Sequence, residues 1–181
     1  SPCGVSIKKD HLESYKSALA CDPISAFGGI VSCNFKITKR LAAELNKLFL
    51  EVIIGNGFAK DALRLLKKKK NLRLIDATNY TFKEKLRFVS SNEEILLQTE
   101  DFEKFSKKDF KVVSKKKPTS KQMKNLIFAF NICRNVKSNA IVLASNETTT
   151  GIGSGQPSRL DSCKIAISKM KKYSKLSESL V

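Results

Sequence analysis

The chain has 181 residues, a length typical of one domain or of two small ones. Its hydrophobic content of 41% is enough for a core, which excludes a chain that is disordered throughout. No apolar run approaches the roughly 18–20 residues that a membrane-spanning helix needs. The first residues contain neither a starting Met nor an apolar signal segment, so we expect a piece of a longer chain without a signal peptide.

The charge is strongly positive, with 34 Lys and Arg against 17 Asp and Glu and a net charge of +17. Such an excess suggests a polyanionic partner. However, only 6 of the 34 cations are Arg, the residue that favours two-point contacts with phosphates and bases. We therefore favour a diffuse Lys-rich composition, and we keep a basic nucleic-acid-binding module as an alternative function.

The cysteines and the single histidine indicate no metal site. The five cysteines are odd in number and widely spaced, at Cys3, Cys21, Cys33, Cys133 and Cys163. No C-x-x-C pair occurs, and no second His stands near His11 at metal-ligand spacing, which argues against zinc. Reduced thiols in a cytoplasmic protein and a solvated His11 fit this pattern best.

Hydrophobic periodicity predicts alternating helices and strands over the first 76 residues. The predicted elements are a helix over 10–20, a loop and strand over 25–33, a helix over 38–49, a strand over 50–54, a helix over 59–69 and a strand over 72–75. Asp10 and Thr38 are placed to cap the first two helices. Strands alternating with helices predict an α/β fold with a mostly parallel sheet, and residues 1–76 form its first unit.

The pattern loosens after residue 76 and becomes regular again near Pro118. Residues 77–117 read as an irregular connection with short strands at 85–89, 95–98 and 110–113. Residues 118–181 read as the start of a second α/β unit. Its predicted elements are a helix from Pro118 to about Val136, a strand over 140–144, a turn over 146–150, a Gly-rich loop over 151–159 and a final helix capped by Ser158.

The Gly-rich loop (GIGSGQPSR, residues 151–159) is the strongest local signal for a site. Its glycines allow close approach of a ligand, and a helix begins directly after it. The loop lacks the Gly-Lys-Ser/Thr of a P-loop and the spacing of the dinucleotide fingerprint, so an ordinary strand-to-helix turn is equally possible. Arg159 favours a ligand, because a cation at a helix start opposes the helix dipole and calls for an anionic or carbonyl-bearing partner.

Other polar positions have ordinary structural interpretations when each is taken alone. Asn139 begins an apolar strand, where a turn residue is common. Glu51 interrupts an apolar run, which is typical of a solvent-facing carboxylate at a strand edge. The run Lys67 to Lys70 fits a solvated helix end better than a phosphate groove.

Six collinear strings together resemble one family. They are 2–5 (PCGV), 22–31 (DPISAFGGIV), 48–54 (LFLEVII), 66–72 (LKKKKNL), 137–144 (KSNAIVLA) and 151–159 (GIGSGQPSR). These strings resemble the AICAR transformylase region of the bifunctional AICAR transformylase/IMP cyclohydrolase family, and they span nearly the whole chain. The resemblance implies a cytidine-deaminase-like fold, a three-layer αβα arrangement without zinc, of which this chain would be a partial domain.

The resemblance also implies an activity, which is formyl transfer from 10-formyltetrahydrofolate to the 5-amino group of AICAR in purine biosynthesis. The implied cytoplasmic homodimer shares active sites across its interface and binds neither nucleic acid nor membrane. A Lys-His pair that carries much of the family's catalysis would stand just before Ser1, so we expect the chain alone to be inactive. A catalytically dead remnant is a further alternative.

The resemblance assigns roles to five residues of this chain. Gly28 matches a position that contacts AICAR through its backbone, and Glu51 matches an acidic position that binds the nucleotide, where a carboxylate suits ribose hydroxyls. Asn139 matches the asparagine at the reacting centre, whose amide can hold a carboxamide or formyl oxygen. Arg159 matches an arginine that contacts the nucleotide, and Leu160 matches a position that lines the folate site. The family's Gly-Gly strand is replaced here by residues 89–94, which puts that strand in doubt.

Overall fold

The computed structural model describes residues 1–81, 86–99, 101, 103 and 105–174. Its helices are α1 (His11–Leu19), α2 (Lys39–Leu45), α3 (Lys60–Leu66), α4 (Ser120–Cys133) and α5 (Arg159–Tyr173), with a 3-10 turn at Lys107–Asp109. Its strands are β1 (Gly29–Cys33), β2 (Leu50–Gly55), β3 (Arg73–Asp76), β4 (Leu86–Ser91), β5 (Glu94–Thr99), β6 (Ile141–Ser145) and β7 (Thr148–Gly153). The predicted α/β class is confirmed.

The first three strands form a parallel sheet in the order β1-β2-β3, as the alternation of strands and helices predicts. Val31 pairs with Ile53, and Ile53 pairs with Leu74, so these three side chains lie on one face. Helices α1, α2 and α3 cover that face. The core beneath them contains Leu12, Tyr15, Ile37, Leu41, Ala42, Leu45, Leu50, Ile53, Ala62 and Leu66.

Strands β6 and β7 form an antiparallel pair against which α5 packs. The contact is close, because a Cβ on Gly153 would overlap the Ser162 carbonyl and a Cβ on Gly151 would overlap the Ala166 carbonyl. The opposite edge of β7 is paired by the first residues of the chain, where the Thr149 N–H donates to the Val5 carbonyl at 2.9 Å. The N-terminal segment therefore belongs to the same assembly as the last third of the chain.

Two sequence predictions about this assembly are wrong. The predicted turn over 146–150 is only two residues long, because Asn146 and Glu147 take positive φ angles of 51° and 53° and β7 begins at Thr148. Gly151 to Gly153 lie inside β7, although we expected them to open the loop. The physical reason is that α5 lies directly on this strand, so its small residues serve packing against the helix.

Residues 77–117 also differ in part from the prediction. Residues 110–113 form no strand, because Phe110 packs edge-on against Phe130 of α4 with ring centroids 5.1 Å apart. The other two strands exist as the exposed hairpin β4-β5, which removes the doubt about the variant segment 89–94. Lys85 lies outside the described residues. The division of the chain at residues 76 and 118 stays a prediction.

Some helix ends also differ from the prediction. Helix α2 ends at Leu45, four residues before the predicted end, because Asn46 caps it and the chain turns toward β2. The Lys67 to Lys70 run follows α3 instead of ending it, and the Lys69 ammonium donates to the Leu48 carbonyl at 2.9 Å. The predicted caps Asp10, Thr38 and Ser158 are all confirmed.

A buried ion pair ties α5 to the segment that precedes β1. The Asp22 residue is 3% exposed, and its carboxylate lies 2.7 Å from the Lys169 ammonium. The Ser25 N–H donates to the same carboxylate at 3.1 Å. Burial raises the pKa of Asp22, but the hydrogen bonds from Lys169 and Ser25 outweigh burial and hold this pKa below its usual value.

We predict that Gly153→Ala destabilises the fold by about 3 kcal/mol, because its Cβ meets the helix backbone and not a movable side chain. The free energy of unfolding from urea titration measures this cost. Ser154→Ala, one residue along, is the control and should cost less than about 1 kcal/mol. A Gly153→Ala protein as stable as the parent would contradict the close contact.

We predict that Lys169→Met costs about 1–3 kcal/mol at pH 7, since it leaves the buried Asp22 carboxylate unpaired while Lys169 itself is partly exposed. Because the pKa of Asp22 is lowered in the folded state, the pair stabilises above the unfolded pKa of about 3.9 and loses its effect as the pH falls. The difference between variant and parent should therefore shrink below about pH 4.

The matched control is Lys164→Met, on the same helix, whose contact with Asp161 is 3.6 Å long and solvent-exposed. This change should cost less than about 1 kcal/mol at any pH. Equal losses for the two variants at pH 7 would show that the buried pair has no special role.

Candidate functional site

Gly28 and Glu51 lie together at the amino ends of two neighbouring strands. Gly28 directly precedes β1, Glu51 is the second residue of β2, and the register pairs Gly29 with Leu50. Gly28 has a φ of +68°, a conformation that favours glycine over any residue with a side chain. Its N–H donates to the Phe49 carbonyl at 2.9 Å. The backbone group that Gly28 can offer a ligand is therefore its carbonyl.

Exposed apolar side chains surround Gly28. The Phe27 and Phe49 rings are 5.2 Å apart, and Phe27 is 70% exposed. Ile24 and Ile30 are also exposed on the same stretch of chain. The Glu51 carboxylate is solvent-accessible nearby. The amino end of these two strands therefore combines a carboxylate, a backbone carbonyl and aromatic surface. Such a surface suits a ligand that has both hydroxyl groups and a flat ring.

Asn139 is held tightly against the loop before α5. Its Nδ2 donates to the Gln156 carbonyl at 2.9 Å and to the Pro157 carbonyl at 2.8 Å. Carbonyl oxygens only accept hydrogen bonds, so the NH₂ end of the amide must face them. Both of its hydrogens are engaged in this conformation. The Asn139 group left for a ligand is Oδ1, an acceptor, and not the donor that would hold an oxyanion.

The backbone around Asn139 is fixed on both sides. Its N–H donates to the Gln156 carbonyl at 3.1 Å, and its own carbonyl accepts from Ser162 Oγ at 2.7 Å. The Gly155 N–H donates to the Lys137 carbonyl at 2.8 Å. The start of β6, the Gly-rich loop and the first turn of α5 therefore form one hydrogen-bonded unit.

Arg159 and Leu160 are the first two residues of α5, and both are exposed. Ser158 caps the helix by accepting from the Leu160 N–H at 3.2 Å. Among the described residues, the Arg159 guanidinium has neither a hydrogen-bond partner nor an ionic one. A cation at this end of a helix opposes the dipole, so the Arg159 side chain is available for an external acceptor.

The predicted site residues therefore fall into two clusters. Gly28 and Glu51 form one, and Asn139, Arg159 and Leu160 form the other. Several contacts link the parts of the chain that carry them, including the pairing of Val5 with Thr149. The Asp22–Lys169 pair joins the segment before Gly28 to α5, and the Lys137 N–H donates to Ser1 Oγ at 2.9 Å.

Sequence reasoning missed the residues that hold these clusters in place, which are Gln156, Pro157, Ser162 and Lys169. Gln156 and Pro157 stand inside the Gly-rich loop, so the loop motif could have pointed to their backbone carbonyls. Ser162 and Lys169 carry no motif signal, because their partners Asn139 and Asp22 are distant in sequence.

Other chemical groups in the described part of the chain give no competing site. His11 is exposed and stacks on Phe35, with ring centroids 3.7 Å apart. The five thiols are free, and burial raises the pKa of Cys33 to about 11, which leaves that thiol protonated and a poor nucleophile at neutral pH. The described residues hold no group of three or more potential metal ligands. No helix in the described part has both the length and the apolar character that a membrane crossing needs.

Comparison with known proteins identifies the family. The model of the AICARFT/IMPCHase bienzyme family matches residues 1–169. The bifunctional purine biosynthesis protein PurH of Aquifex aeolicus is 43% identical over 173 residues, which cover 96% of this chain and 33% of that protein. PurH of Parvibaculum lavamentivorans is 42% identical over 176 residues, and PurH of Brachyspira hyodysenteriae is 42% identical over 169. The chain spans about a third of the length of these curated relatives, and it belongs to the AICARFT/IMPCHase bienzyme family.

Proposed function

We propose that the protein containing this chain transfers a formyl group from 10-formyltetrahydrofolate to the 5-amino group of AICAR in purine biosynthesis. Family membership over residues 1–169 supports the proposal, and so do the names of the relatives. One structural observation carries it: the Asn139 amide, whose Oδ1 is left as an acceptor, donates to the carbonyl of Pro157, two residues before Arg159, which has no partner among the described residues. An acceptor and a cation at one place suit a substrate with both an N–H donor and an anionic or carbonyl oxygen.

The AICAR amine is a poor nucleophile, since its lone pair is delocalised into the imidazole carboxamide. Asn139 Oδ1 would accept a hydrogen bond from an N–H of this substrate and hold the amine in line with the formyl carbon. Asparagine does not titrate, so it positions the amine and leaves the transfer of the proton to another group. By the resemblance, the Lys-His pair upstream of Ser1 supplies that proton chemistry.

The remaining residues would bind the two substrates. The Glu51 carboxylate would accept from ribose hydroxyls, and the Gly28 carbonyl would accept one further donor of the nucleotide. Arg159 would contact an anionic or carbonyl oxygen of AICAR. Leu160, which is 62% exposed, would pack against the folate ring system.

The proposal includes several features beyond the chain itself. They are the folate co-substrate, the second activity as IMP cyclohydrolase, the homodimer with shared sites and the cytoplasmic location. The basic nucleic-acid-binding module remains the rival class. Filter binding at physiological salt that is submicromolar and depends on sequence would favour that rival, since phosphate contacts alone weaken steeply with salt.

The full-length protein should form FAICAR, the formylated product, from AICAR and 10-formyltetrahydrofolate, and the 181-residue chain should not, because by the resemblance the Lys-His pair would stand before Ser1. An assay that follows tetrahydrofolate release on both proteins measures this difference. An inactive full-length protein would contradict the proposed function and favour a catalytically dead remnant. Substantial turnover by the chain alone would show that the upstream pair is dispensable.

We predict that Asn139→Asp lowers turnover of the full-length protein about a hundredfold or more. The aspartate carboxylate would face the carbonyls of Gln156 and Pro157 with no hydrogen to donate, so the loop and the amine position should both be lost. The thermal midpoint should fall with the activity.

The control is Asn135→Asp, an exposed asparagine that donates to a single helix carbonyl, that of Asn131, at 3.2 Å. Steady-state kinetics should leave this variant within threefold of the parent. If Asn139→Asp also turned over within threefold, Asn139 would have no role in the reaction.

A further inference from the structure

Ser162 is a fully buried hydroxyl next to the proposed reaction site. It lies in the first turn of α5, at 0% exposure, and its Oγ donates to the Asn139 carbonyl at 2.7 Å. Its backbone N–H is satisfied separately by the Ser158 carbonyl at 3.2 Å. A buried hydroxyl and a buried carbonyl each need a partner, and here each is the partner of the other.

The Ser162–Asn139 hydrogen bond completes the set of hydrogen bonds that fixes the peptide groups on both sides of Asn139. On the N–H side, Asn139 is held by the Gln156 carbonyl, and its amide is held by the Gln156 and Pro157 carbonyls. Among the described contacts, only the Ser162 hydroxyl donates to the Asn139 carbonyl. Without this bond the Asn139 carbonyl loses its donor, and the backbone that carries the Asn139 side chain is fixed on its N–H side only.

The position accepts only a small side chain with a donor. Ser162 is fully buried, so a larger side chain would have to displace its neighbours. Alanine and glycine would fit but would leave the Asn139 carbonyl without a donor. Cysteine has a similar shape but a weaker and longer hydrogen bond. Serine therefore combines the required size with the required chemistry.

We propose that Ser162 is a positioning residue for formyl transfer, which acts through the Asn139 carbonyl and does not touch substrate itself. This inference rests on the proposed function, because it assigns Ser162 a part in presenting Asn139 Oδ1 to the AICAR amine. A displacement of about 1 Å in a group that orients a reactant is enough to cost about a hundredfold in rate.

The test uses the full-length protein with Ser162→Ala and Ser162→Cys. We expect kcat to fall at least tenfold for Ser162→Ala and by a smaller factor for Ser162→Cys, in the order of their donor strength. The matched control is Ser168→Ala, an exposed serine on the same helix, which should keep the kcat of the parent. Thermal midpoints measured alongside identify any variant that fails to fold, in which case Ser162→Cys decides the outcome.

A double-mutant cycle separates positioning from general destabilisation. In an Asn139→Ala background, Ser162→Ala should change kcat less than twofold, because the group that it positions is gone. Independent, multiplicative losses in the cycle would overturn the role of Ser162, as would a kcat within threefold of the parent for the single variant. An inactive parent protein would instead overturn the proposed function, and the inference with it.

Discussion

The close contact between α5 and β7 is the constraint on which the candidate site depends. Gly151 and Gly153 let the helix backbone approach the strand, and this approach fixes both the height and the rotation of α5. The positions of three side chains of α5 follow from that placement. Arg159 stands at the exposed helix start, Ser162 reaches the Asn139 carbonyl, and Lys169 reaches the Asp22 carboxylate. A side chain on either glycine would push all three away together.

Few of the positively charged side chains have a specific structural or functional role. Most lysines are exposed, and an exposed ion pair contributes little to stability. Lys169 differs because its partner is buried, and Arg159 differs because it has no partner among the described residues. A net charge of +17 therefore says less about function than the surroundings of two cations do. The same charge would attract anionic molecules to the surface.

The described residues leave apolar surface exposed on the parallel sheet and on the β4-β5 hairpin. Ile30 and Ile75, on the uncovered face of the parallel sheet, are 65% and 47% exposed, whereas parallel sheets are usually covered on both faces. The β4-β5 hairpin exposes Phe88 and Leu97, which pair across its strands. The chain spans about a third of its relatives' length, so the fold described here is one part of the family's full structure.

Local rules predicted much of this molecule from the sequence. The caps at Asp10, Thr38 and Ser158, the parallel order of β1, β2 and β3, and the helix at 120–133 follow from residue type and periodicity, which act over a few residues. The family could also be identified, because its motifs are contiguous strings. Only the tertiary structure decided that Gly151 and Gly153 belong to a strand, that Phe110 packs on α4, and that the Asn139 amide points into the loop. These outcomes depend on contacts between residues far apart in sequence, such as Asn139 with Ser162, and no local pattern records which distant groups satisfy one another.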